Sequence, residues 1–288
     1  MRRLRLRVAP AEGESLPGFI LRLAARAGFR NACEFAVLAG VRQPGGAVSG
    51  ASLLPLATFS GVAQECLDLM AYPPAGPRGH HRFLEGMVHR DFIWLAARRA
   101  CPACLREAPH HRGEWDFALA TACLRHRHRL LVSCPLCGAE PGWDYPSVGG
   151  CQCRARFRDA AIRPAPDEEI AALAFLRSVI REGPPPSLHQ DFAGCGPSDL
   201  FRITLSLGAS AEGWDGHRRV ASVVRAGPER VAAIVTAGVQ ALQDWPTSVC
   251  DLHRRGYRLP EDRPRRTPAL NLLHKLVHKA VAAGRGQH

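Results

Sequence analysis

The sequence predicts a mainly α-helical chain interrupted by one compact, cysteine-rich segment with short β elements, on three observations. Apolar residues recur at helical spacing near the start and through the last third, between residues that cap or stop helices. Cysteines pair at short spacing between 101 and 153 and nowhere else. At 46% apolar and 22% charged residues over 288 positions, the composition is that of a folded globular chain rather than a disordered one.

The elements follow in order. In MRRLRLRV, Leu4, Leu6 and Val8 alternate with Arg3, Arg5 and Arg7. This predicts a short strand with one basic face; no apolar core of signal-peptide length follows. In ESLPGFILRLAARAG, Leu16, Phe19, Ile20 and Leu23 sit at helical spacing, with Ser15 as N-cap and Gly28 as stop. Asn31 caps a second helix through Ala39, ended by Gly40, and GGAVSG (45–50) is a loop. LLPLATFSGVAQECLDLM (53–70) fits a helix-turn-helix. Ala57 allows close crossing, Gly61 makes the turn, Val62 enters the core, and Leu56, Leu67 and Met70 fill further apolar positions. Its second helix carries Gln64, Glu65 and Asp68 and no basic residue, a poor match for base edges and phosphates. Such a unit faces protein more readily than DNA.

Residues 71–95 read as a proline-rich loop leading into short strands or a turn. Beyond the cysteines, PDEEIAALAFLRSVIREG (166–183) is a helix, acidic in its first turn and closed by glycine, and PPPS (184–187) is a hinge. The tail is helical: Ser198 caps 199–207, Pro228 opens a helix to about 244, and TPALNLLHKLVHKAVAAG forms a last one. Val231, Ile234, Val235, Val239 and Leu242 form one core-facing stripe.

The net charge of +12 is almost entirely arginine, Lys275 and Lys279 being the only lysines. A basic balance fits a nucleic-acid or nucleoprotein partner. No run approaches the roughly 18 apolar residues of a membrane span, and a cytoplasmic location is expected. Eleven cysteines without a secretion signal point to metal binding rather than disulfides.

Cys101-Pro-Ala-Cys104 is a CxxC knuckle, and Cys123-Leu-Arg-His126 is a CxxH knuckle. Cys134-Pro-Leu-Cys137 and Cys151-Gln-Cys153 form a second set of four cysteines. Two-residue spacing lets a tight turn aim both donors at one ion, and four donors complete the tetrahedron of zinc. Two structural zinc ions are expected, because four protein ligands leave no open position for chemistry. His128 lies near enough to replace His126, although the CxxH spacing favours His126. His110, His111 and His128 are otherwise expected as exposed polar residues of a basic loop, and Cys33, Cys66, Cys195 and Cys250 as buried inert thiols. No nucleotide-binding, nucleophile-elbow or metalloprotease motif is present, and AEGWDGH (211–217) reads as a solvated loop.

The fold class is therefore mainly α with small zinc-ribbon-like β elements. It divides into an N-terminal helical region with a helix-turn-helix unit (1–95), two central zinc-finger motifs (96–160) and a helical C-terminal region (161–288). Together, ESLPGFILRLAARAGF, RFLEG (82–86), CPACLRE, Arg112-Gly-Glu-Trp115, RLLVSCPLCG and the later CxC resemble the TniQ family, which includes the TnsD-type target selectors of transposable elements. The resemblance covers about 12–160, with ALQDWPTSV (241–249) similar to a motif of the family's helical tail. It implies a non-catalytic adaptor for DNA transposition, with Cys101, Cys104, Cys123 and His126 in a first zinc finger and Cys134, Cys137, Cys151 and Cys153 in a second. Such an adaptor links target DNA, or an RNA-guided targeting complex, to an AAA+ ATPase transposition regulator of the TniB/TnsC type, and reaches the transposase through it. Members can dimerise, but no heptad pattern here requires it. Trp115, Phe117 and Leu119, between the first two knuckles, are expected to pack over the first site. Two other functions compete: a zinc-containing helix-turn-helix transcription regulator, which needs a basic reading helix, and a metal-dependent nuclease, which needs an open metal site.

Overall fold

The computed structural model describes residues 8–42, 44–45, 53–214, 219–254 and 268–285. All but Val8 of the expected opening strand, most of the 45–50 loop and residues 215–217 of the acid-and-histidine loop lie outside the described residues. The chain divides into two compact units, Met1–Ala165 and Pro166–His288.

In the first unit α1 (Leu16–Arg26) starts where Ser15 accepts a hydrogen bond from the Gly18 amide, and Pro17 occupies its first turn. Asn31 caps α2 (Ala32–Leu38) through the Cys33 amide. The next two helices, α3 (Leu54–Ser60) and α4 (Gln64–Met70), are seven residues each. Gly61 joins them in the left-handed conformation at φ 73°, which a side chain would strain. Leu56 and Leu67 are buried, and so is Ser60, whose hydroxyl returns a bond to the Leu56 carbonyl. Val62, expected in the core, is only half-buried, and Cys66, expected to be buried, is exposed.

The expected short strands form a hairpin of β1 (His80–Phe83) and β2 (Gly86–His89), with His81 opposite Val88. Its buried Phe83 contacts Tyr72 and Phe117 at ring separations of 5.1 and 6.2 Å. Phe29, Phe35 and Phe59 make a second ring cluster where α2 meets α3. A backbone strap joins the start of the chain to the cysteine-rich segment: Ser15 donates its amide to the His111 carbonyl (3.0 Å), and Gly113 donates to Gly13 (2.8 Å).

The second unit is helical among its described residues: α6 (Asp167–Glu182), α7 (Pro197–Ala211), α8 (Val220–Arg225), α9 (Pro228–Gln243), α10 (Thr247–Arg254) and α11 (Pro268–Arg285). The six-residue helix α5 (Pro102–Glu107) belongs to the first unit. The expected stripe Val231, Ile234, Val235, Val239 and Leu242 is buried on α9. α9 crosses α7 at backbone contact: a Cβ on Gly208 would lie 1.8 Å from the Ile234 carbonyl oxygen, and one on Gly238 2.0 Å from that of Thr204. Ser198 is not a cap, as expected from sequence, but a buried residue in the first turn of α7, whose N-cap is Gly196. A proline is well tolerated in a first turn, so Pro197 starts the helix earlier than a serine-cap reading allows. The 184–187 turn lies inside this unit, so the division falls at Ala165–Pro166 and not at the PPPS stretch. Trp245 of ALQDWPTSV packs on Phe192 (5.0 Å between rings) and donates its indole hydrogen to Asp191 (3.2 Å).

Candidate metal centres

The first centre is built from a helix start and a hairpin. Cys101 is the N-cap of α5 and Pro102 its first residue, so Cys104 falls in the first turn, and the amides of Ala103 and Cys104 face the Cys101 sulfur. Cys123 ends β3 (Ala122–Cys123), which pairs with β4 (His128–Arg129). The turn between them closes with the Arg127 amide on the Cys123 carbonyl (2.7 Å), which brings His126 back toward Cys123. The donor atoms of Cys101, Cys104, Cys123 and His126 all lie within 4.8 Å of one another. Nδ1 of His126 is 3.6, 3.2 and 3.7 Å from the sulfurs of Cys101, Cys104 and Cys123. Of the two candidate histidines the structure brings His126 into the cluster; His128 pairs across the hairpin from Cys123.

The second centre has no helix. Cys134 and Cys137 flank a turn in which the Gly138 amide bonds the Cys134 carbonyl (2.9 Å) and the Leu136 amide points at the Cys134 sulfur (3.5 Å). Cys151 and Cys153 flank another, with the Arg154 amide on the Cys151 carbonyl (2.8 Å). Sulfur separations are 3.5 Å for Cys134–Cys153 and 3.7 Å for Cys137–Cys151, and all four cysteines are free thiols.

These spacings fit zinc. With Zn–S near 2.3 Å and Zn–N near 2.05 Å, a tetrahedron sets sulfurs about 3.8 Å apart and a nitrogen about 3.5 Å from each sulfur. A disulfide would need about 2.05 Å. Hydrogen bonds between the thiols of each cluster pull their proton affinities apart. Hydrogen bonds from Cys104 and Cys123 push Cys101 down to about 3, and the bond to Cys101 pushes Cys104 far up.

Several residues that sequence reasoning passed over position these clusters. Glu107, at the end of α5, bonds Nε2 of His126 at 2.8 Å, leaving Nδ1 as the donor aimed at the sulfurs. Arg98 and Arg99 directly precede the first knuckle and are buried. Arg98 donates to the carbonyls of Ser147, Val148 (3.0 Å) and Gly150 (3.2 Å), fixing the approach to Cys151. Arg99 donates to Phe117 (2.8 Å), Ala118 (3.2 Å) and Ala120 (2.8 Å), fixing the approach to Cys123. Burial lowers both guanidinium groups to about 10. A sequence signal was present: two arginines abut a knuckle.

His110 and His111, expected to be exposed, are buried at 7% and 0%. His111 is enclosed by Trp115 and Trp143, with ring separations of 5.2 and 5.0 Å, and Ser15 Oγ lies 3.0 Å from its Nδ1. The histidine-rich stretch is thus partly core. Trp115, Phe117 and Leu119 are buried as well, with ring contacts from Trp115 to His111 and from Phe117 to Phe83. Asp116 stands 3.7 Å from Nε2 of His111, so a serine, a histidine and a carboxylate do come together. Their exposures of 1%, 0% and 1% leave no room for a substrate, and the group acts as polar core.

Two comparisons bear on this architecture. A search of curated proteins found no match to the chain. The TniQ family model matches residues 5–130, which takes in the N-terminal helices, the hairpin and the whole first cluster, and stops short of Cys134. Through that segment, rather less than half of its length, the chain is similar to the TniQ family.

Proposed function

We propose that the chain is a non-catalytic target-selection adaptor for DNA transposition, acting in the cytoplasm and held in shape by two structural zinc ions. The observation that carries the reading is the TniQ match over a segment that includes a complete four-donor cluster. Cys101, Cys104, Cys123 and His126 hold one ion, and Cys134, Cys137, Cys151 and Cys153 the other. Bound zinc supplies folding free energy here and no reaction chemistry, because four protein donors fill its tetrahedron. The adaptor joins target DNA, or an RNA-guided complex, to an AAA+ ATPase regulator of the TniB/TnsC type that recruits the transposase, and a second copy of the chain is a further partner in this reading. α3 and α4 serve as its helix-turn-helix unit. Glu65 is exposed on α4, which carries no basic side chain to meet phosphate, so this pair faces protein and the transcription-regulator reading loses its DNA-reading helix.

The test has two arms. Metal analysis of the purified chain should find about two zinc per chain; one ion, or a bound ion that exchanges water, contradicts the paired-staple reading. Pull-down with an AAA+ ATPase of the TniB/TnsC type should capture it without added nucleic acid. Binding to promoter DNA with no capture of the ATPase would favour the regulator instead.

A further inference from the structure

A groove of about 440 Å³ runs along the first unit between α1 and the loops on either side of Cys151. Five arginines line it: Arg22 and Arg26 from α1 on one bank, and Arg154, Arg156 and Arg158 on the other. Among the described residues no carboxylate lines it. Some of this charge is already answered. Arg22 forks onto Glu14 with two bonds of 2.6 Å, and Asp159 serves both Arg156 (2.6 Å) and Arg158 (3.9 Å). One carboxylate cannot neutralise two guanidinium groups, and Arg26 and Arg154 form no ion pair among the described residues. Positive charge therefore remains on both banks.

The floor between the banks is apolar and partly aromatic: Leu105, Pro146, Val148 and the half-buried ring of Tyr145. Its shape is held from below, since Arg98 ties down the carbonyls of 147, 148 and 150. Bonds from the Cys151 amide to the Ala155 carbonyl (3.1 Å) and from the Arg154 amide to the Cys151 carbonyl (2.8 Å) set the arginine-bearing bank.

We propose that this groove binds a single strand of nucleic acid, its phosphates on the two arginine banks and a base on the Tyr145 floor. Charge complementarity names phosphate as the ligand chemistry. The apolar floor separates single strand from duplex, because only an unpaired strand offers base faces to stack, and stacking on an aromatic floor between basic walls is how strands are held without sequence readout. Arginine suits both tasks, since its planar group pairs with phosphate and stacks on bases. An acidic protein segment would satisfy the banks but leave the floor without a partner. The proposal takes from the adaptor reading only that nucleic acid is a partner, and the ATPase pull-down uses none, so either can fail while the other stands.

Fluorescence anisotropy with labelled 12-nucleotide oligothymidylate, oligouridylate and a 12-base-pair duplex, over a salt series on the full zinc-loaded chain, tests it. Saturable binding of a single strand, tighter than duplex, is expected with either homopolymer. Replacing Arg26 and Arg154 together by Ala should weaken binding about tenfold or more and flatten the slope of log K against log salt by about 1.4, two phosphate contacts at about 0.7 each. Tyr145→Leu should weaken binding about tenfold with the salt slope unchanged. Zinc content and thermal midpoint verify folding, and Arg26→Glu, a change at an exposed helical position, gives an independent variant. Arg78→Ala with Arg82→Ala removes equal charge from exposed positions off the groove and should change little. The proposal is overturned by duplex binding as tightly as single strand, by unchanged binding in the Arg26 and Arg154 variants, or by an equal loss in the Arg78 and Arg82 control.

Discussion

Asp116 shows how a single buried side chain reports on the packing around it. Tyr72 donates its hydroxyl hydrogen to one carboxylate oxygen at 2.7 Å, and the other faces His111. Burial pushes this carboxyl up to about 7, while the Tyr72 bond and the Arg99 charge only partly restrain the rise. The unfolded chain would release this proton near pH 4. Between roughly pH 4 and 7 the folded state therefore holds a proton that the unfolded state has lost, and raising the pH through that window removes stability. His111, pushed well below its usual range by burial and by Arg98 and Arg99, acts in the opposite sense: its contribution is lost as pH falls below about 6.5. Asp116→Asn isolates the carboxyl. The stability of wild type relative to this variant should decrease from pH 4 to 7 and level off above, as read from urea midpoints, with protonation of the cysteines cancelling in the difference. A difference that is flat or rises with pH would contradict the assignment. Nothing in HHRGEWD signals this core role, because histidine and aspartate in a polar run read as solvent-facing until the tryptophans that enclose them are placed.

Among the elements, α7 and α9 cross with their backbones in contact. Gly208 and Gly238 each lie where a side chain would enter the partner helix's backbone, so the helices can separate only by abandoning the contacts of Val231, Ile234 and Val235. Gly238→Ala should destabilise the protein by about 1–3 kcal/mol, the usual cost of overpacking, seen as a lower thermal midpoint with helix content retained. Gly194→Ala, at a position with nothing within 4 Å of the added carbon, should be close to neutral. Equal effects at both positions would mean that helix crossing is not what the α9 glycine serves. Here the sequence was largely legible. The apolar stripe, the proline at its start and the glycine stops announce α6 and α9, since periodicity and capping are local. The start of α7 was less so, because glycine and serine compete for the cap two residues apart.

At the scale of the whole molecule, the first unit carries both cysteine clusters and the second carries none among its described residues. Zinc should therefore act on stability unevenly. A strong chelator should unfold Met1–Ala165, reported by fluorescence of Trp115 and Trp143 and by protease cleavage, while the helices of Pro166–His288 keep their circular dichroism signal until higher denaturant. A single cooperative loss of both would show that the units depend on each other for stability. Cys101→Ser or Cys134→Ser should reproduce the chelator's effect in the first unit, since removing one donor opens the tetrahedron.

The sequence alone determined the eight candidate donors, the helix pattern and the family resemblance, because two-residue knuckle spacing, capping and helical periodicity are written over a few neighbouring residues. Only the tertiary structure decided which histidine joins the first cluster, how Arg98 and Arg99 hold the carbonyls of distant loops, and that Ser15, His111 and Asp116 share a closed core. It also placed α1 opposite the Cys151 loops, where arginines far apart in the chain line one groove. Each of those outcomes depends on which segments approach across tens of residues, and long-range packing has no local signature.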